Sequence, residues 1–218
     1  MHGLEFPKGI YSYHTNQEIM KAKNISTKAL LLYNLSQNEI ENPTIILNDF
    51  CLHDHLPAHL EQLKHWRNLL ISNKTYKRRN CPSDLFLHYR MTIKLLEAAW
   101  LLKEKSTPNH PTLDKTEQAL IKYLLNKEQQ EITFYPTSLS MEELWNPRIL
   151  FSKLFKQYKL KDYRRILQYW MSEALSPFCS DEVLMKAEII IVYENLQKLY
   201  EACWLIYERA NKTQEIQN

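Results

Sequence analysis

Glycine occurs at only two of the 218 positions, Gly3 and Gly9. A phosphate-cradling loop, a dinucleotide fingerprint and a nucleophile elbow each need glycine where backbone approaches a ligand or takes positive φ. None of the three can be built from this chain. Tight glycine hairpins are excluded with them, which turns the chain away from a mainly β fold. What remains is a helical protein with 44% hydrophobic and 24% charged residues. That apolar content suffices to bury one large core or two modest ones.

The chain also matches itself. Shifted by 104 residues, positions 34–104 align with 138–208 without a gap, and 18 of 71 positions are identical. Unrelated segments of average composition would share only about four or five. The identities fall on uncommon residue types: Trp66 with Trp170, Trp100 with Trp204, and Asn42-Pro43 with Asn146-Pro147. Helical periodicity alone does not reproduce tryptophans in register. The fold expected is therefore all-α: a tandem duplication of a three- to four-helix unit with pseudo-twofold symmetry, in one compact domain. The first repeat takes residues 1–105 with its core at 34–104. Residues 106–137 form a linker loop and a helix, and the second repeat takes 138–218 with its core at 138–208.

Within each repeat the layout recurs. Pro43 and Pro147 suit the first turn of a helix. Amphipathic patterns predict a second helix over 56–71 and again over 160–175, ended by Ser72 and Ser176. A third, longer helix is expected over 83–105, capped by Asp84, and over 180–210, capped by Ser180. The linker predicts a helix over 114–127, with a shorter counterpart over 15–23. The segments 27–33 and 131–135 read either as a minor β ladder between the copies or as loop or helix, since short apolar runs do not decide. The long third helices are expected to form the centre.

Four features qualify as candidate sites. The first is the face shared by the third helices: Tyr89, Lys94, Glu97 and Trp100, repeated as Tyr193, Lys198, Glu201 and Trp204. These helices are apolar nearly all round, so Glu97 and Glu201 are expected inside. There a carboxyl must find a partner or stay protonated. Three readings follow: a structural tie to an indole, a hydroxyl or a backbone amide; a facing carboxylate pair able to hold a metal; or an exposed Lys94–Glu97 pair. The second feature is His53, His55 and His59, followed by His65. His55 and His59 have the i,i+4 spacing of helical metal ligands, yet the copy-two positions share none of them. The third is the basic loop Lys74, Tyr76, Lys77, Arg78 and Arg79. It can hold phosphate and stack a base, or meet the acidic Asp181-Glu182 of the other copy, or stand solvated. The fourth is the cysteine set, Cys51, Cys81, Cys179 and Cys203, which forms no CxxC pair and no zinc spacing.

The net charge of +3 is too small to imply nucleic acid. The first ten residues, MHGLEFPKGI, carry no apolar signal core, and no apolar run reaches the roughly 20 residues that span a bilayer. These features lead to the expectation of a cytoplasmic protein with reduced thiols, no membrane contact and no cofactor. The first functional expectation is a non-enzymatic scaffold or adaptor for a protein partner, with self-association open. Two others stand beside it: a nucleic-acid-associated regulator using loop 74–79, and a metal enzyme using the carboxyls or the histidines.

Overall fold

The computed structural model describes residues 32, 34–72, 82–103, 115–176 and 184–217. All regular structure among them is helical. The elements are α1 (Gln37–Glu41), α2 (Thr44–His53), α3 (Leu56–Ser72), α4 (Pro82–Lys103), α5 (Lys115–Glu131), α6 (Met141–Trp145), α7 (Arg148–Gln157), α8 (Leu160–Leu175) and α9 (Lys186–Gln217). The first residues of α6 to α9 stand 104 positions after those of α1 to α4.

Local chemistry sets these starts. Ser36 Oγ accepts from the Glu39 amide, and the Glu39 side chain accepts from the Ser36 amide. Ser140 and Glu143 make the same reciprocal pair at α6. Each box satisfies two amides that a five-residue helix would otherwise leave bare. Asn42 and Asn146 close those helices. Pro43 and Pro147 follow as the N-caps of α2 and α7, with φ of −66° and −59° that proline's ring already favours. Pro82 opens α4, where its missing N–H costs nothing.

The helices other than α5 contribute to one hydrophobic cluster, and the buried Ile121 and Leu125 of α5 lie outside it. Within the cluster α3 lies against α8, and Trp66 and Trp170, both 0% exposed, meet edge to face at 5.4 Å. The Trp66 indole N–H donates 3.1 Å to the Trp170 carbonyl. Around this contact the two sets of helices cross. α9 packs most heavily on α3, and α4 packs on α7 and α8. Each long helix is thus held largely by the other set.

Several expectations are resolved or corrected. Of the two readings of residues 131–135, the structure has the helix end and loop. α5 runs through Glu131, the Ile132 amide donates back to Glu128, and no described residue offers an extended partner. Burial of Ile132 and the aromatic contacts of Phe134 account for the apolar character that suggested a strand. Asp84 sits inside the first turn of α4 rather than at its cap. Ser72 is the last residue of α3, and its hydroxyl donates to the Asn68 carbonyl. α9 extends beyond residue 210 to Gln217. α4 and α9 carry most of the fully buried side chains, and they meet where Tyr200 reaches Thr92 and His88. The expected helix at 15–23, the segment 27–31 with Tyr33, the basic loop 74–79 and the Ser180 cap lie outside the described residues. No helix among the described residues is long and apolar enough to cross a membrane.

Candidate functional site

The repeated polar face is built from α4 and α9 with the short helices lying over them. Lys94 reaches Glu39 at 2.6 Å, and Lys198 reaches Glu143 at 3.4 Å. Each lysine thus binds the carboxyl that already closes a capping box. Burial pushes the Glu39 carboxyl upward, but Lys94 and the Ser36 amide outweigh it and hold the group below its ordinary range. Glu143 is likewise raised by burial and lowered further by the Ser140 amide, Lys198 and Lys153. The exposed Lys94–Glu97 pair is therefore replaced by a tie across elements.

Glu97 is 0% and Glu201 1% exposed. Glu97 accepts from the Asn34 side-chain amide at 2.6 Å and from Arg164 on α8 at 2.5 and 3.1 Å. Glu201 accepts from the Ser138 backbone amide at 2.7 Å, with Thr137 and Gln197 at longer range. Asn34 and Ser138 are themselves 104 residues apart. Each carboxyl therefore staples the chain just before a short helix onto a long one. They bind separate partner sets rather than facing each other as a metal-holding pair. Tyr89 and Tyr193 are half-buried: Tyr89 lies against Trp66, and the Arg67 guanidinium lies 4.3 Å over the Tyr193 ring. Trp204 is buried, whereas Trp100 is half-buried.

The three histidines do not converge. His59 is buried, stacks on Phe50 with ring centroids 3.9 Å apart, and its Nε2 donates to the Phe50 carbonyl at 2.8 Å. On α8, Tyr163 donates its hydroxyl to the carbonyl of Leu154, the residue 104 positions after Phe50. His59 thus fills the same place as a tyrosine that no metal needs. His55 pairs with Asp54 and meets the edge of Phe134. His53 lines a shallow cleft of about 310 Å³ with Asp49, Arg90 and the Glu39–Lys94 pair. Among the described residues, no three His, Cys, Asp or Glu side chains come together as metal ligands.

Two features escaped sequence reasoning. Buried His88 accepts or donates at Tyr200 (3.3 Å), whose hydroxyl also meets Thr92. Burial, with His59 and His53 adding repulsion, pushes His88 down to about 3. Burial also lowers His59 and raises Tyr200, Cys51 and Cys203, so this interior stays neutral at physiological pH. The second feature is the outward face of α5, a helix that the sequence itself predicts. Ile121 and Leu125 are buried, but Leu120, Tyr123 and Leu124 face outward, with Tyr123 66% exposed. Arg209 binds Glu128 in a fork at 2.6 and 2.8 Å and also holds the Leu144 carbonyl, and Lys212 holds Glu131. Periodicity within 114–127 carried the α5 signal, whereas nothing local marks His88 as Tyr200's partner.

No protein-family model, curated protein or solved structure matches the chain.

Proposed function

We propose that the chain is one helical unit written twice, and that the assembled body is a non-enzymatic scaffold presenting α5 to a protein partner. Three observations support the duplication beyond the sequence match. Four helix starts recur at one interval, the two capping boxes and their lysines recur with them, and the packing pairs read the same when α1–α4 and α6–α9 are exchanged. The pseudo-twofold axis in this reading passes through the Trp66–Trp170 contact.

The observation that carries the partner-binding reading is the outward arc of α5. Large apolar side chains cluster at helical spacing on a face that the body leaves open. The arc is also pinned in advance by Arg209 and Lys212, so docking costs little ordering entropy. An amphipathic helix laid along Leu120, Tyr123 and Leu124 is the partner this face suits.

A photoreactive residue in place of Tyr123, expressed in the native cell, tests the reading. The expected result is one discrete adduct whose partner, once purified, binds the wild-type chain and loses binding to Leu120→Glu/Leu124→Glu. An adduct of two copies of this chain would make the face a self-association surface. No discrete adduct, or a partner indifferent to the two glutamates, overturns the proposal.

A further inference from the structure

Near the start of α8 lies a cleft of about 440 Å³ lined by Trp100, Lys103, Phe155, Lys159, Lys161 and Arg164, with Leu160 at its base. Ligand pockets usually measure about 300–1,000 Å³, so the size suits a small molecule. Lys103 Nζ stands 4.8 Å from the Trp100 ring and 5.3 Å from the Phe155 ring, so one ammonium lies within reach of two aromatic surfaces. Arg164 is balanced from beneath by Glu97. Among the described residues, no acidic side chain lines the cleft itself. The Asp162 carboxyl instead accepts from the Lys159 amide. The 16-residue α8 adds the positive end of its dipole at the same spot.

The corresponding place 104 residues away has a different lining. Trp204 stands for Trp100, and Tyr207 for Lys103. His55, Pro57 and Leu60 replace Lys159, Lys161 and Arg164. There the space is taken by Phe134, whose ring lies 5.3 Å from His55 and 6.1 Å from Trp204. Pro57 also removes a backbone donor from the start of α3. One side is thus mainly apolar, and the position matching its Phe134, Leu30, lies outside the described residues. The other has exchanged four positions for cations and keeps its tryptophan half-exposed.

From this we infer that the α8 cleft binds a small phosphomonoester carrying a flat aromatic body, of mononucleotide size. The phosphate lies on Lys159, Lys161 and the start of α8, and the ring stacks against Trp100 or Phe155. This site is separate from the α5 face and does not depend on it.

Calorimetric titration of the full chain with AMP, adenosine and ribose 5-phosphate tests the inference. AMP is expected to bind saturably, and each half-molecule about tenfold or more weakly, because each lacks either charge-assisted contacts or stacking. Lys159→Ala/Lys161→Ala, at exposed positions, is expected to weaken AMP about tenfold or more, while Lys122→Ala on α5 leaves it unchanged. Trp100→Leu is expected to weaken AMP and leave ribose 5-phosphate as it was. Adenosine binding as well as AMP, or AMP indifferent to the double alanine variant, overturns the inference. So does an oligonucleotide that binds when AMP at millimolar concentration does not, which would make the cleft a contact for a polymer.

Discussion

Glu97 and Glu201 occupy the same turn of α4 and α9, yet they are held differently. Glu201 is satisfied within its own half of the chain, by a backbone amide and two polar side chains. Glu97 reaches across to Arg164 in the other half. Buried polar groups need partners, and two different partner sets meet the same need. The difference teaches that position is conserved between the halves while the means of satisfying it is not. The histidines give the same lesson, since His59 and Tyr163 reach equivalent carbonyls with different chemistry.

The largest effect is expected at the contact between the two indoles. Trp66→Ala and Trp170→Ala each empty a fully buried site and should each cost about 3–5 kcal/mol. Because the rings touch, the double variant should lose less than the sum, which chemical denaturation of all four proteins measures. Trp66→Ala also removes the N–H donated to the Trp170 carbonyl and should be the costlier of the two, and the reverse order would show that this hydrogen bond adds nothing. The next test separates the two carboxyls. Glu97→Gln leaves Arg164, only 14% exposed, facing a neutral group, and should cost about 3 kcal/mol. Glu201→Gln keeps an acceptor for the Ser138 amide and should cost about 1 kcal/mol. Equal losses would erase the contrast drawn above.

The caps offer a matched control. Ser36→Ala and Ser140→Ala should each cost about 1 kcal/mol, alike within error, in the same denaturation assay. The smallest effect at neutral pH is expected from His59→Tyr, about 1 kcal/mol or less, since it copies the Tyr163 arrangement. Its signature lies in acid. His59 and His88 are held below the ordinary histidine value of 6.5. The unfolded chain therefore binds more protons, and stability is full above about 6.5 and falls as pH drops toward 3. His59→Tyr should flatten that slope, read as melting temperature between pH 7 and 5. An unchanged slope would place the acid sensitivity elsewhere.

Much of this architecture was legible in the sequence because it rests on local signals. Proline at 43 and 147 and the amphipathic periods of α3 and α8 announce their helices without help from the rest of the chain. The short helices α1 and α6 are absent from the sequence expectations, although the Ser-x-x-Glu pattern of their capping boxes is equally local. The apolar run at 131–135 leaves two readings open because packing of Phe134 against Trp204 and His55 leaves the same trace as a strand. The partners of Glu97 were out of reach for a different reason. Asn34 and Arg164 lie 63 and 67 residues away, and only the crossing of α4 over α8 brings them together. The cations of the α8 cleft are likewise scattered between residues 103 and 164, so no run of sequence shows them as a group.

The two central indoles have one more consequence. With ring centroids 5.4 Å apart, the two indoles are close enough for their electronic transitions to couple. A circular-dichroism band from that coupling is expected to disappear when either ring is replaced, so the meeting of the two helices can be followed with no attached label.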